Sequence, residues 1–393
     1  MTISATMPFP ARLKTELRID SVMMLISMAL LFSGFVILAS ASITVSDNTT
    51  GEPFFYIERQ LVAAVIGCAV AFACLFVPMR VWQRLSPLML LTGIALLCLV
   101  LVPGVGYEVN GSTRWVRFGI VNLQVSEPAR LCLFIYLAGY VVRQQKALRE
   151  QFVGFLRPML VLSISCALLL AQPDFGAAIV LLATALIILF VGGARIRDFL
   201  LFFSTTLIAM TALVMTSSYR MKRMTGFLDP WSDPFDSGFQ LTQSLIAIGR
   251  GEWFGVGLGS SVQKLFYLPE AHTDFVFAVF AEEFGLLGSL ILIGLFFALL
   301  WRIFKLALRA ASAEKYFEAY LAVGIGTWIG LQAFINLGVN MGLLPTKGLT
   351  LPLISYGRSS LIVTIVSIGL LMRIHHELVV DAPPINRRGR KKR

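Results

Sequence analysis

Residues 269–285 read PEAHTDFVFAVFAEEFG. A proline opens the segment, Asp274 stands at the first turn of a long apolar run, and Glu282 and Glu283 follow further in. On insertion scales a carboxylate at the centre of a membrane helix costs roughly 2.5–3.5 kcal/mol, so a membrane chain that keeps several has a use for them. Asp274 is therefore the leading candidate for a functional acid. The residues alone leave a plainer reading open, because Thr273 and Asp274 at a helix start can cap free amides and offset the helix dipole. Adjacent residues lie about 100° apart on a helix, so Glu282 and Glu283 cannot share a face and one is expected to pair with an Arg or Lys.

Composition supplies the setting. Of 393 residues, 57% are hydrophobic and 14% charged, and the apolar residues come in runs of about twenty, the length that crosses a hydrocarbon core. The expected fold is an all-α polytopic membrane protein with ten transmembrane helices, over 21–43, 59–79, 85–103, 123–142, 158–172, 176–192, 198–216, 274–300, 319–341 and 353–373. The first run is longer than a signal-peptide core and is read as a permanent helix. A tail over 1–20 precedes the membrane domain (21–373), and a basic tail over 374–393 follows it. Asp174, in the turn Gln172-Pro173-Asp174-Phe175-Gly176, reads as a cap or turn residue.

Most of the 33 lysines and arginines fall in alternate connections, among them Arg12, Lys14, Arg80, Arg84, Arg143, Arg195, Arg302, Arg309 and the tail from Arg387. The positive-inside bias places these segments, and both termini, in the cytoplasm. The formal charge of +11 follows from that bias and suits anionic lipid headgroups, not nucleic acid. The five cysteines fall inside apolar runs without metal-ligand or CxxC spacing, and the three histidines form no pattern with them, so neither a disulfide nor a zinc site is expected.

The large extracytoplasmic loop, 217–272, lies between the seventh and eighth helices. Leu241, Leu245, Ile246 and Ile248 predict a short amphipathic helix there, with Gln240, Gln243 and Ser244 towards other faces. Asn336 and Asn340 lie four apart on one helix face, where interhelical hydrogen bonding is expected, and the Gly326/Gly330 and Gly338/Gly342 spacings suit close packing or a docking partner helix. Arg114, Lys264, His272, Lys347 and Arg358 fall on the same side of the bilayer as Asp274, a cationic ring that would suit an anionic headgroup.

The strings VNGSTRW (109–115), QPDFGAA (172–178), QLTQSLIAIG (240–249), SVQKLFYLPEAHTDF (261–275) and INLGVNMGLLPTKGLTLPLISYG (335–357) resemble the SEDS family (shape, elongation, division and sporulation), nearest its cell-division branch. The resemblance runs from the first helix to the tenth. It implies the SEDS fold and a peptidoglycan glycosyltransferase that polymerises lipid II at the outer face of the inner membrane, concentrated at the division septum. It matches Asp274 to the family's essential aspartate, which would serve as general base, with Arg114, Trp115, Arg130, Lys264, His272, Lys347, Ser355 and Ser359 contacting substrate. No cofactor is expected; the chemistry would accept a divalent cation such as Mg, but no ligand motif points to one. The implied partners are a class B penicillin-binding protein (FtsI-like) transpeptidase, other divisome membrane proteins and membrane lipids. Two departures stand out: Arg358 replaces the glycine of the usual SYGGSS, and Arg130 replaces a frequent lysine, exchanging a point charge for a planar fork. A lipid II flippase and a non-catalytic divisome scaffold are the alternative readings.

Overall fold

The computed structural model describes residues 17–109, 112–118, 121–216, 221, 226–234, 238–264, 268–345 and 348–381. Three helices come first: α1 (Ser21–Thr50), α2 (Phe55–Phe76) and α3 (Met79–Leu99). Next come β1 (Gly106–Val109), β2 (Ser112–Phe118) and β3 (Val121–Gln124), followed by α4 (Ser126–Arg143), α5 (Gln145–Glu150), α6 (Phe152–Ala171), α7 (Phe175–Val191) and α8 (Ile196–Met215). The chain ends with α9 (Phe239–Arg250), α10 (Val276–Ser312), α11 (Tyr316–Asn340) and α12 (Arg358–Val380). Among the described residues seven helices are long and apolar enough to cross a membrane: α1, α2, α3, α6, α10, α11 and α12. Helix α7 is a shorter apolar helix. The chain is a mostly helical, multi-pass membrane protein.

The sheet corrects the all-α expectation. Its strands pair antiparallel in the order β1-β2-β3, with Trp115 opposite Tyr107 and Gln124. Ordered strands thus fill part of what was expected to be loop and the start of the fourth helix. Helix boundaries also overrun the expected spans: the run expected over 274–300 is a helix over Val276–Ser312. Helix α10 continues through Ser312, and along it Arg302 Nε donates to Asp20 Oδ2 at 2.8 Å. Asp20 also caps α1, accepting from the Met23 N–H at 3.1 Å.

The helices pair most extensively as α2 with α12, α3 with α4, and α10 with α11. In the last pair the glycine spacing works inside the bundle: a Cβ on Gly326 would meet Ile303 at 2.8 Å, and one on Gly330 would meet Leu300 at 3.1 Å. These glycines let α11 approach α10 closely, and both also line a cavity of about 680 Å³ with Phe304, Ala307 and Val323.

Helix α10 is two helices joined at Gly285, whose φ of 66° and ψ of −165° no helix contains. The break frees backbone groups, and the segment after α9 satisfies them. Val256 and Gly257 N–H groups donate to the Glu282 and Glu283 carbonyls at 2.9 and 3.2 Å, while Leu286 and Leu287 N–H groups donate to the Glu252 and Trp253 carbonyls at 2.8 and 3.2 Å. Such reciprocal pairing is what allows irregular backbone inside a membrane bundle. Only glycine fits at the junction: a Cβ on Gly285 would stand 2.4 Å from the Gly255 nitrogen. The break divides α10 into a short outer piece that follows Asp274 and a long lipid-facing piece exposing Leu290 and Ile291.

Candidate active site

The turn 268–275 carries Asp274 one residue before the N-cap of α10. Phe275 is the N-cap of α10 and makes no side-chain cap bond. The Thr273 hydroxyl is turned back to Glu270, donating to its Oε2 at 2.6 Å. The amides of α10 are served from another helix, since Ala278 N–H donates to Asn340 Oδ1 at 3.1 Å. The Thr273 hydroxyl is thus engaged with Glu270, and Asn340 of α11 supplies a cap to α10 in trans.

The same asparagines fix Asp274 through its backbone. Asn336 Nδ2 donates to the Asp274 carbonyl at 2.8 Å and to the Leu349 carbonyl at 2.7 Å, and Asn340 Nδ2 donates to the Asp274 carbonyl at 3.0 Å. Both asparagines are buried, which is the interhelical bonding their spacing predicts. One helix, α11, therefore positions two loops against each other. The approach is close: a Cβ on Gly348 would lie 3.0 Å from Asp274 Oδ2. Asp274 itself is half-buried.

The rest of the 348–357 loop is anchored in the same way. Gln332 Nε2 donates to the Thr350 carbonyl at 3.0 Å and Thr350 Oγ1 at 3.2 Å. Gln60 Nε2 donates to the Ser355 carbonyl at 3.1 Å, and Ser355 Oγ accepts the Leu351 N–H at 2.8 Å. Tyr356 N–H donates to the His272 carbonyl at 2.9 Å. The His272 ring packs between Tyr56 and Tyr356, with centroids 4.7 and 5.8 Å away. Burial pushes the His272 pKa down, against the opposing pull of Glu270, so the ring is held neutral at pH 7.

Arg114 and Ser359 lie on a neighbouring rim. Arg114 on β2 donates through Nε to the Gln172 carbonyl at 3.3 Å and through Nη2 to the Pro173 carbonyl, and stands 3.9 Å from Asp174. Asp174 is the N-cap of α7, accepting from Ala177 N–H at 3.1 Å and from Ser126 Oγ at 3.2 Å. Ser359 Oγ accepts the Gln124 N–H at 2.8 Å, which joins β3 to α12. Trp115 sits half-buried in β2. The sheet thus braces the α6–α7 turn against α12.

Two of the expected cations are engaged elsewhere. Lys264 Nζ donates to Glu283 Oε1 at 3.1 Å, Ser40 Oγ at 2.9 Å and the Gly259 carbonyl at 2.7 Å, which takes all three ammonium protons. Arg250 pairs with Glu282 at 3.2 Å, so both neighbouring glutamates, and not one of them, are neutralised. Arg130, 1% exposed, pairs with Glu127 one helical turn away and lies 5.4 Å over the Trp328 ring. Lys347 lies outside the described residues. The cationic ring around Asp274 is accordingly smaller than the sequence suggests, with Lys264 and Arg130 committed to internal pairs. Gln60, Gln332 and Gly348 were missed; the first two were visible as amides inside apolar runs, where a polar side chain needs a partner.

The residues that meet at the Asp274 turn are those of the resembling motifs. The model of the FtsW, RodA and SpoVE cell cycle proteins matches residues 20–379. A protein of Thioalkalivibrio sulfidiphilus named "Probable peptidoglycan glycosyltransferase FtsW" is 54% identical over 383 residues, 97% of this chain and 96% of its own. A Nitrosococcus halophilus protein of the same name is 52% identical over 93% of this chain and 94% of its own. Among solved structures, one from a study of the structural coordination of polymerization and crosslinking by a peptidoglycan synthase complex superposes with a TM-score of 0.75 at 33% identity, covering 93% of this chain and 100% of that one. The rod shape determining protein RodA of Thermus thermophilus superposes with a TM-score of 0.67 at 31% identity, covering 92% and 98%. With a family model spanning nearly its whole length and relatives above half identity, the chain belongs to the FtsW/RodA/SpoVE family of cell cycle proteins.

Proposed function

We propose that the chain is a peptidoglycan glycosyltransferase that polymerises lipid II at the outer face of the inner membrane during septal wall synthesis, with Asp274 as general base. The observation that carries the assignment of the base is the clamp on Asp274: a half-buried carboxylate whose backbone is fixed by two buried asparagines and whose side chain abuts Gly348. The relatives' shared name supports the reaction class.

In the proposed step the 4-hydroxyl of one lipid-linked disaccharide attacks the anomeric carbon of another lipid-linked glycan. The C–O bond to undecaprenyl diphosphate breaks with inversion, the leaving group departs with the bonding pair, and Asp274 takes the hydroxyl proton. A positioned carboxylate is a suitable base, typically contributing about 10²–10⁴-fold. The diphosphate leaves already ionised, so no second carboxylate is needed as acid. Positive charge near the departing oxygens would come from Arg114 and Lys347, while Lys264 and Arg130 hold the scaffold. The orientation has both termini cytoplasmic, with α4, α7 and α8 completing ten crossings. A class B penicillin-binding protein is the proposed crosslinking partner, in keeping with a structural relative drawn from a polymerising and crosslinking complex.

The test is fluorescent lipid II supplied to purified protein in vesicles, with and without that transpeptidase. Glycan polymer from wild type is the expected result. Lipid II crossing the vesicle membrane without polymer would establish the flippase alternative, and neither activity with the transpeptidase bound would establish the scaffold.

A further inference from the structure

Arg59 and Arg358 stand together at the N-terminal ends of α2 and α12, the most extensively packed helix pair. They line a cavity of about 170 Å³ with Glu58, Val62, Ile66 and Ile362. The spacing gives each helix the same arrangement. A guanidinium sits in the first turns, and aliphatic side chains follow one and two turns on, at Val62 and Ile66 of α2 and at Ile362 of α12. Val62 is half-exposed and Ile66 about a third exposed, within a helix that crosses the membrane, so the slot opens sideways to lipid.

The polar end is built for an anion. Arg59 is held at the mouth by stacking, its guanidinium carbon 3.8 Å over the Phe55 ring. Among the described residues neither Arg59 nor Arg358 forms an ion pair with a carboxylate. A planar guanidinium presents its N–H groups as a fork that fits phosphate oxygens. Two such forks above an aliphatic groove match a lipid whose phosphate binds at the mouth and whose chain lies along Val62, Ile66 and Ile362.

Glu58 decides which lipid. Two guanidinium ions and one carboxylate leave a single positive charge, which complements a phosphodiester monoanion and leaves a polyprenyl diphosphate under-neutralised. We propose that this slot is a binding site for an anionic glycerophospholipid of the phosphatidylglycerol class. The site also adjoins the catalytic rim, because Tyr356, two residues before Arg358, is bonded through its backbone to His272.

Native mass spectrometry of the full chain, titrated separately with phosphatidylglycerol, phosphatidylethanolamine and undecaprenyl diphosphate, tests this. Wild type should bind phosphatidylglycerol about tenfold more tightly than phosphatidylethanolamine, in line with charge-assisted hydrogen bonds to one lost or gained ionic partner. Arg358→Gly and Arg59→Gln should each erase most of that preference. Glu58→Gln, a surface change that keeps the fold, should strengthen undecaprenyl diphosphate binding more than phosphatidylglycerol binding. Equal binding of the two phospholipids by wild type would overturn the proposal. So would phosphatidylglycerol preference surviving in Arg59→Gln.

Discussion

Two groups of carboxylates lie within one short stretch of chain, and the structure treats them in opposite ways. Glu282 and Glu283 are fully buried, and each has its own cation, Arg250 and Lys264. Further donors come from Ser40 Oγ, 2.5 Å from Glu283 Oε1, and from the Val262 N–H, 3.2 Å from Glu282 Oε1. Asp274 is half-buried and fixed through its carbonyl, with the anchoring groups behind it on α11. The contrast separates two uses of a costly charge. Glu282 and Glu283, each paired with a cation, hold a helix break together; Asp274, its backbone pinned by two asparagines, is the carboxylate proposed to act on substrate.

Four changes sharpen or break that contrast. The largest effect belongs to Asp274→Asn, which keeps shape and removes the proposed base: polymerisation should fall by about 10²–10⁴-fold with thermal stability unchanged, read by lipid II polymer assays beside a melting curve. Next comes Lys264→Met, which strands Glu283 in the bundle. Breaking a buried pair costs about 3–5 kcal/mol, so expression and melting temperature should collapse, and Lys264→Met with Glu283→Leu should recover most of the loss. If the single variant melts like wild type, Glu283 has another partner and the structural role is wrong.

A smaller effect is expected at the clamp. Asn336→Ala orphans the carbonyls of Asp274 and Leu349, at about 1–3 kcal/mol for each buried group left unsatisfied. It should lower the turnover rate more than it weakens substrate binding, because it loosens the base; equal changes in both would argue for a merely structural role. The smallest effect is a pH dependence. With its folded pKa below the unfolded value of about 6.5, His272 resists a proton that the unfolded chain accepts. Stability should therefore decline as pH falls below about 6.5 until the folded pKa is reached. His272→Gln should flatten that part of a melting-temperature profile, and an unchanged slope would assign it to other groups.

The parts of this arrangement governed by local chemistry were readable in the sequence. Asp174 after Pro173 announced the cap of α7, the Asn336/Asn340 spacing announced interhelical bonds, and Leu241 to Ile248 announced α9. Even there the packed face was misjudged: Ser244 is buried, its Oγ donating to the Asn340 carbonyl at 2.8 Å, so the hydroxyl lies on the face that holds the bundle. What escaped depended on distant partners. Nothing near Lys264 shows that Ser40 and Glu283 will surround it, so it reads as a loop cation. Nothing beside Gly285 in its apolar run marks a break, which only the docked backbone of Glu252 to Gly257 reveals. The strands from Gly106 to Gln124 are short and carry polar residues, which conceals them between two long hydrophobic runs.

The most direct test of the contrast places Asp274→Asn and the Lys264→Met, Glu283→Leu double variant in one lipid II polymerisation assay, each with the transpeptidase partner and at temperatures where both are folded. The double variant should polymerise within about tenfold of wild type, whereas Asp274→Asn should lose at least about a hundredfold, the lower bound for removing a positioned base. Polymerisation retained by Asp274→Asn, or abolished in a folded double variant, would contradict the division between a catalytic carboxylate and a structural pair.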